Sequence, residues 1–283
     1  MPLPREPKGR GPVWTEERGA CDERRGKTGP KGGPEASGGQ NLSVLLRTEE
    51  VRKAYGGVHA LDSCTVEIEE GSVAGLIGPN GSGKTTLFNV ITGYAKADAG
   101  QVYLADKKIT NVTPDKVFAL GIGRTFQLTR IFASLTVMEN MLVASPNGRA
   151  AARRRAMEQL EFVGIAGHHA ELAGTLSYGQ RKLLELAYVL VADPAVILLD
   201  EPAGGVNLSL VNHIADRIRE LNAAGKTFLI VEHNMEFVMG LCDRITVLDS
   251  GTVVASGPPG IIRTDQRVLN AYLGEDLDPA EDE

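Results

Sequence analysis

The sequence contains little cysteine, few aromatic residues and no surplus of positive charge. Its three cysteines, Cys21, Cys64 and Cys242, are odd in number and far apart, so their spacing indicates neither a metal site nor a disulfide framework. Aromatic residues make up 5% of the chain, and the formal net charge is −6. These values argue against a base-stacking surface and against general affinity for the phosphates of nucleic acid. We therefore expect no nucleic-acid partner.

Long hydrophobic runs are also lacking. The N-terminal stretch MPLPREPKGR has no apolar core of the kind that a signal peptide needs. The run LAYVLVA at 186–192 is far shorter than the ~20 apolar residues that span a bilayer, and it continues a helical pattern. We expect a cytoplasmic protein that reaches the membrane only through a partner.

Both ends of the chain differ in composition from its body. Residues 1–40 are rich in Gly, Pro, Arg, Lys and Glu, and residues 275–283 are mostly acidic. Such segments bury too little apolar surface to offset the entropy lost on ordering. They are predicted to be disordered tails around a folded domain at 42–274. Residues 1–40 also fit an upstream extension from a misplaced start codon.

The body of the chain alternates between strand and helix patterns. Apolar runs typical of buried strands occur in SVAGLIG, AVILLD, TFLIVEH and RITVLDSG, and helical patterns lie between them. This order predicts an α/β fold with a parallel core sheet. Before these runs, Val66 and Ile68 alternate with charged residues, as in a half-buried strand. Residues 128–192 are predicted to form an inserted helical subdomain.

A phosphate-binding loop follows the first buried run. The stretch GPNGSGKTT matches the pattern G-x-x-x-x-G-K-[ST], with a strand pattern before it and a helix pattern after it. Glycines let backbone amides approach phosphate oxygens, Lys84 supplies a cation, and the Thr85 hydroxyl can bind Mg²⁺. Chance would produce this match in roughly one or two of a hundred chains of this length. The predicted nucleotide-binding residues are Gly78, Pro79, Asn80, Gly81, Ser82, Gly83, Lys84, Thr85 and Thr86.

Two later strands end in side chains suited to nucleotide hydrolysis. AVILLDEP carries Asp200 to the end of a buried strand, where its carboxylate can hold Mg²⁺ through water. Glu201 follows directly and can take a proton from the attacking water. IVEHN places His233 at the end of another strand. The alternatives are an ordinary acidic N-cap and a structural or solvated histidine, but the phosphate-binding loop favours a nucleotide site.

A second anion-seeking helix start lies further along the chain. The stretch TLSYGQRKLLELA at 175–187 is a glycine-containing turn that opens onto a helix with an apolar stripe. The loop at 78–86 holds phosphates from one side only. The turn is therefore predicted to close over ATP bound to the partner subunit of a head-to-tail dimer.

These motifs, in this order, resemble the ATP-binding subunit of an ABC transporter over residues 45–274. The resemblance implies a P-loop NTPase fold, here an ABC ATPase, in which an N-terminal antiparallel β subdomain accompanies the parallel sheet. It implies ATP and Mg²⁺ as ligands, with Tyr55 stacked on adenine and His233 at the γ-phosphate. The implied catalytic residues are Glu201, His233 and Gln127, and the implied metal ligands are Thr85, Gln127 and, through water, Asp200. The implied signature, which contacts ATP in trans, is Leu176, Ser177, Tyr178, Gly179 and Gln180.

The sequence departs from the family pattern at two positions. Tyr178 replaces the first glycine of the signature, whereas Ser177 and Gly179 are retained, so anion binding should survive. Asn207 stands where many members carry Asp. This second change affects the expected coupling between the two ATP sites and not the expected ATPase activity.

A narrower resemblance comes from the residues around and between these motifs. LGIGRTFQLTRIFASLTVMENMLVA, EPAGGVN, VEHNMEFVMGLCDRITVLDSG and AYLGED resemble the branched-chain amino acid importer group, in particular its LivG-type subunit. Related systems import urea or amides or export lipopolysaccharide, and these remain alternatives. A soluble ABC ATPase is less favoured because such proteins usually carry two cassettes or a coiled-coil insertion. Another P-loop GTPase or kinase would not explain LSYGQ.

The resemblance also implies partners at the cytoplasmic face of the membrane. They are membrane permease subunits, a second ATP-binding subunit of the same or a sister type, and indirectly an extracytoplasmic substrate-binding protein. The segment at 127–139 contains IFASLTV, which is rich in apolar residues for a stretch expected to be exposed. We expect it to line the groove that receives a coupling helix of the permease.

Overall fold

The computed structural model describes residues 43–127, 129–144 and 149–273. The predicted tails at 1–40 and 275–283 lie outside the described residues. Within the described ranges the strands form two sheets. In chain order they are β1 (Val44–Tyr55), β2 (Val58–Glu69), β3 (Val73–Ile77), β4 (Ala99–Leu104), β5 (Lys107–Lys108), β6 (Ile122–Arg124), β7 (Val196–Asp200), β8 (Thr227–Val231), β9 (Arg244–Asp249) and β10 (Thr252–Gly257).

Helices connect most of these strands. None of the helices within the described ranges is long and apolar enough to cross a membrane. Short 3₁₀ turns at Ala166–His168 and Ala173–Thr175 precede the fifth helix. In chain order the α-helices are α1 (Lys84–Ile91), α2 (Pro114–Ala119), α3 (Val137–Val143), α4 (Arg149–Phe162), α5 (Tyr178–Leu190), α6 (Leu208–Ala223), α7 (Met235–Leu241), α8 (Pro259–Ile262) and α9 (Gln266–Leu273).

The first sheet is antiparallel and has the strand order β2-β1-β4-β5. β1 and β2 form a hairpin in which Tyr55 pairs with Val58. Along β2, Val66 and Ile68 are buried while Glu67 between them is exposed. This alternation follows from the period-two geometry of a strand with one buried face. The predicted N-terminal antiparallel subdomain is thus confirmed.

The second sheet carries the predicted parallel core and has the order β10-β9-β3-β8-β7-β6. Its strands pair in parallel, except that β10 is antiparallel to β9 at one edge. All five residues of β3, β7 and β8 are buried, as expected for strands covered on both faces. Val73 and Ile77 of β3 belong to one hydrophobic core, and Ala74 and Leu76 belong to the other. The sheet therefore separates two cores.

The helical segment between β6 and β7 packs through the stripe that the sequence indicates. The predicted stripe is buried because its members recur at helical spacing on one face. Its members are Leu183, Leu184, Ala187 and Leu190 of α5 and the following Val191. Two elements were not singled out from the sequence, the three-residue strand β6 and, within the predicted helical subdomain, the helix α3. α3 begins with a capping box between Thr136 and Glu139, a signal that the sequence did contain. β6 is too short for a periodicity pattern to reveal it.

The carboxyl ends of four strands meet at one edge of the second sheet. β3 leads into the loop at 78–86, and β7 ends at Asp200, whose Cα pairs with that of Val231 at the end of β8. On the other side of β7, Arg124 at the end of β6 pairs with Leu198. Parallel α/β sheets bind ligands at this kind of edge.

A glycine at the sheet edge tests the packing of α5 against β6. A Cβ added to Gly123 would lie 2.5 Å from Cγ1 of Val189, a distance that real Cβ atoms do not show. We expect Gly123→Ala to lower the free energy of unfolding by about 1–3 kcal/mol through overpacking. The measurement is urea denaturation followed by circular dichroism.

The matched control is Gly240→Ala in α7, where an added Cβ would meet nothing within 4 Å. Alanine should stabilise that helical position by about 0.5–1 kcal/mol. Equal midpoints for the two variants would contradict the packing described for β6.

Candidate functional site

The loop at 78–86 follows β3 and has a backbone path that only glycine can take at two points. A Cβ on Gly78 would lie 2.0 Å from the carbonyl oxygen of Leu248, and one on Gly83 would lie 2.4 Å from that of Ala60. Gly83 also has a φ of 103°, in the left-handed region. The close approach fixes the loop against β2 and β9, so its amides keep one geometry.

The helix that follows this loop has no side-chain cap. The N-cap of α1 is Gly83, which has no side chain that could accept a hydrogen bond from the first amides. Other helices are capped by side chains, those of Thr136, Ser177, Asn207 and Asn234. The first amides of a helix lack intrahelical partners, and the helix dipole favours an anion there. The start of α1 is therefore suited to phosphate.

Lys84 lies directly over the loop. Its Nζ donates hydrogen bonds to the carbonyl oxygens of Gly78 and Pro79, at 2.7 Å each, and the residue is buried. Ser82 is buried beneath the loop, whereas Thr85 and Asn80 are exposed. The nine predicted nucleotide-binding residues of the loop thus form one cradle with a cation inside it.

Three residues predicted to be catalytic meet at the ends of different strands. Oε1 of Glu201 lies 3.0 Å from Nε2 of His233, and Nε2 of Gln127 donates to Oε2 of Glu201 at 3.0 Å. Gln127 follows β6, Glu201 follows β7 and His233 follows β8. Both carboxylate oxygens of Glu201 therefore have a fixed partner.

The backbone around Glu201 is held from two sides. Glu201 has a φ of 50°, which is uncommon for a residue with a Cβ and is typical of strained positions at functional sites. Its amide donates to the carbonyl oxygen of Val231, and its own carbonyl oxygen accepts from Nζ of Lys182 on α5. Burial lowers the pKa of Lys182, and nearby carboxylates oppose that change.

Asp200 forms a buried ion pair that the sequence did not predict. Its Oδ2 lies 2.9 Å from a terminal nitrogen of Arg124, with only 3% and 6% of the two side chains exposed. Burial raises the pKa of Asp200 above its ordinary value, and the guanidinium of Arg124 opposes the rise. Arg124 also donates to Oδ1 of Asn89 on α1, so it joins three elements of the site. The only signal for Arg124 was its place in RTFQ.

The predicted signature turn is capped by its own side chains. The Ser177 hydroxyl accepts from the Gln180 amide, and Oε1 of Gln180 accepts from the Ser177 amide. Gln180 also contacts Nε2 of His168 at 2.9 Å, a partner that sequence reasoning missed. Ser177 is exposed, whereas Leu176 is buried and anchors the turn.

The two departures from the family pattern have local structural roles. The ring of Tyr178 lies against Gly205, in the loop that follows Glu201, and below Nζ of Lys182. Asn207 caps α6 through its side chain, which accepts from the Leu210 amide. Tyr178 thus links the signature turn to the loop at 204–207 of the same chain.

Tyr55, predicted to stack on adenine, lies at the tip of the β1–β2 hairpin. It is 49% exposed, with Nζ of Lys53 at 5.1 Å from its ring centre. The same hairpin reaches the phosphate-binding loop, because Ala60 of β2 contacts Gly83. An exposed aromatic ring near the loop is free to stack on a planar ligand.

Comparison with known proteins decides the family. The family model for the ABC transporter matches residues 61–204, which contain the phosphate-binding loop, the signature turn and Glu201. The chain belongs to the ABC transporter ATP-binding family. A second model, for the branched-chain amino acid ATP-binding cassette transporter, matches residues 252–278.

The chain matches curated relatives over almost their whole length. It is 38% identical over 251 residues to a probable branched-chain amino acid transport ATP-binding protein LivG of Methanocaldococcus jannaschii, covering 82% of this chain and 98% of the relative. It is 37% identical over 250 residues to the high-affinity LivG protein of Escherichia coli, with the same coverage.

Solved structures of ABC cassettes have the same fold. The ADP conformation of an ATP-binding cassette of an ABC transporter is 37% identical, with a TM-score of 0.76 over 82% of this chain and 99% of that one. A dimeric bacterial ABC transporter cassette is 28% identical, with a TM-score of 0.70 over 76% of this chain and 99% of that one. This chain is therefore an ATPase of the ABC type, which binds ATP and works in transport.

The contacts of Glu201 generate a prediction for turnover. If Glu201 is the general base, Glu201→Gln should still bind ATP but hydrolyse it about 10²–10⁴-fold more slowly, because an amide cannot accept the proton of water. Slow turnover should leave an ATP-loaded dimer. The measurements are steady-state phosphate release and size-exclusion chromatography with ATP.

The control is Glu161→Gln, an exposed carboxylate on α4, which should hydrolyse ATP at the wild-type rate. Wild-type turnover of Glu201→Gln would mean that another group is the base, with His233 the next candidate.

Proposed function

We propose that this ABC ATPase powers an importer of branched-chain amino acids through a membrane permease. The observation that carries this proposal is the match of residues 252–278 to the branched-chain amino acid transporter model, outside residues 61–204, which the general ABC transporter model matches. Relatives named for branched-chain amino acid transport, matched over 98% of their length, support it further. They favour this cargo over urea, amides or lipopolysaccharide.

The proposed hydrolytic step uses the residues at the strand ends. Glu201 takes a proton from a water molecule that attacks the γ-phosphorus, while the bond from phosphorus to the ADP oxygen breaks. Lys84 and the amides at the start of α1 hold the phosphate charge in place. His233 and Gln127, each 3.0 Å from Glu201, orient its carboxylate. Both would also contact the γ-phosphate of bound ATP.

Mg²⁺ is the metal that this set of residues fits. The proposed ligands are the Thr85 hydroxyl, the Gln127 amide oxygen and, through water, the Asp200 carboxylate. All are hard oxygen donors, and Mg²⁺ prefers few protein ligands together with water and phosphate oxygens. Asp200 lies at the carboxyl end of β7 with Arg124 on one oxygen, which fits an indirect contact through water. When bound, Mg²⁺ neutralises charge on the β- and γ-phosphates.

A groove between the sheet edge and the helical segment is the proposed docking site for the permease. It has a volume of about 410 Å³. Four large hydrophobic side chains that are otherwise exposed line it, which is typical of a surface that a partner covers. They are Tyr94, Phe118, Phe132 and Val143. Leu135, from the same predicted segment, is half-buried and is not among the lining residues.

The groove also supports a proposal for where the chain lies in the cell and which proteins it binds. We propose that the chain lies at the cytoplasmic face of the membrane, bound to permease subunits and to a second ATP-binding subunit of its own or a sister type. An extracytoplasmic substrate-binding protein would deliver the amino acid. Arg124 and Phe126 line the groove and also adjoin Asp200 and Gln127, so docking and hydrolysis share neighbouring residues.

The proposed function predicts ATP-dependent uptake of leucine. Proteoliposomes that contain the permease of this system, with this chain and ATP at the cytoplasmic side and the binding protein at the other, should accumulate labelled leucine. Lys84→Ala should abolish both uptake and hydrolysis, because it removes the cation of the phosphate cradle. Uptake of labelled urea in place of leucine would contradict the proposed cargo.

Two further variants separate docking from chemistry in the same assay. Phe132→Asp places a charge in the groove and should lose uptake while the isolated chain keeps its basal ATPase rate. Ile261→Asp, at a side chain that is 61% exposed outside the groove, is the control and should keep both activities. Normal uptake by Phe132→Asp would rule out this docking site.

The signature turn is proposed to act on the ATP of the partner subunit. Its amides at the start of α5, with the Ser177 hydroxyl, would meet the γ-phosphate held by the partner's loop at 78–86. The dimeric structure of a related cassette supports pairing of such chains. Two ATP molecules would then lie between the subunits and hold them together. Hydrolysis of the ATP would let the subunits separate.

Mixed dimers test whether the turn acts in trans. In a tethered dimer, one subunit carries Lys84→Ala and the other carries Ser177→Arg. Action in trans leaves one site intact and the other doubly altered, whereas action in cis leaves none intact. With both substitutions in one subunit, action in trans leaves no intact site and action in cis leaves one.

The readout is nucleotide trapped per dimer in a Glu201→Gln background. We expect more trapped nucleotide when the substitutions are in separate subunits. More trapping when they share a subunit would show that the turn serves the ATP of its own chain, and the dimer proposal would be abandoned.

A further inference from the structure

Helix α5 carries a buried carboxylate that has no part in the proposed chemistry. Glu185 is 5% exposed, and its Oε1 accepts a hydrogen bond from the Phe126 amide at 3.0 Å. The backbone amide of Arg130 also favours the charged form of this carboxylate and lowers its pKa. Phe126 directly precedes Gln127, so Glu185 holds the backbone beside Gln127.

A second side chain of the same helix reaches the other half of the hydrolytic site. Lys182 precedes Glu185 by three residues, a spacing that places both on one face of a helix. Nζ of Lys182 donates to the carbonyl oxygen of Glu201. From one face of α5, therefore, one side chain holds the backbone beside Gln127 and another holds that of Glu201.

Burying the charged side chain of Glu185 in α5 costs free energy of desolvation. Burial of a carboxylate disfavours its charged form, and here it raises the pKa of Glu185 to about 7. The Phe126 amide donates to that carboxylate, and the nearby charge of Lys182 opposes the rise of its pKa. An apolar residue would fill a packing position on α5 without this cost. The arrangement is explained better by control of the backbone than by packing.

We propose that Lys182 and Glu185 form a clamp that sets Gln127 against Glu201 and makes both follow the movement of the signature turn. α5 is 13 residues long, and Ser177 of the signature is its N-cap. A displacement of the turn on contact with a partner's ATP moves the helix as one body. The clamp then carries this displacement to the Gln127 amide, 3.0 Å from the Glu201 carboxylate. Both residues are positioning residues, since neither touches the reacting atoms.

This inference rests on the proposed roles of Gln127 and Glu201. The experiment distinguishes failure of the clamp from failure of those roles. Four variants are compared: Glu185→Leu, which removes the acceptor, Glu185→Gln, which keeps an acceptor oxygen, Lys182→Met, which keeps the apolar stem, and Glu161→Leu as an exposed control. The readouts are ATP affinity, kcat and hydrogen exchange of the amides at 126 and 130.

Glu185→Leu and Lys182→Met should each lower kcat about tenfold, the effect of losing ~1.4 kcal/mol of hydrogen bonding, with ATP affinity within about twofold of wild type. Glu185→Leu should also speed exchange of the Phe126 amide. Glu185→Gln should rescue both properties, and Glu161→Leu should match wild type.

Several results would overturn the clamp. Wild-type kcat for Lys182→Met would do so even if Glu185→Leu failed to fold. Slow turnover of Glu185→Gln, with the Phe126 amide still protected, would mean that Glu185 acts by its charge and not as an acceptor. If Glu201→Gln retains turnover, the role of Glu201 fails instead, and the exchange data alone then decide whether Glu185 holds the segment.

Discussion

The carboxyl ends of β3, β6, β7 and β8 meet at one edge of the parallel sheet, and the hydrolytic site depends on this meeting. Strand register sets it: Asp200 lies opposite Val231, and Arg124 lies opposite Leu198. Because β3, β7 and β8 are buried on both faces, a one-residue slip in register would move their side chains into the opposite core and disrupt its packing. The hydrophobic cores on the two faces therefore hold the strand ends in position, and the short segments after them carry the side chains that meet.

The two anion-seeking helix starts differ in how their amides are satisfied. α1 begins at Gly83 without a side-chain cap, and Lys84 lies over the loop before it. α5 begins at Ser177 with a capping box from Gln180. The first start suits phosphate within a single chain. In the second, the Ser177 hydroxyl accepts from the Gln180 amide, and the exposed Ser177 suits the anion that we propose a partner subunit brings.

Buried charge organises the region between the hydrolytic site and the groove. Arg124 pairs with Asp200, Lys182 binds the backbone of Glu201, and Glu185 binds the backbone beside Gln127. Each charge would be costly alone in a poorly solvated interior, so each is paired or hydrogen-bonded. The proposed docking groove and the proposed clamp on α5 share this region, because Arg124 and Glu185 line the groove.

The sequence by itself determined the phosphate-binding loop, the signature turn and the buried strands, because these depend on local spacing and on periodicity. Strand-end Asp200, Glu201 and His233 could be predicted for the same reason. Tertiary structure alone decided that Gln127 and His233 bind the two oxygens of Glu201, and that Arg124 reaches Asp200 across 76 residues of chain. It also decided the contacts of Lys182 and Glu185, which a sequence pattern shows only as polar interruptions of an apolar helix. Contacts between residues far apart in the chain depend on sheet order and helix packing, and no local pattern records either.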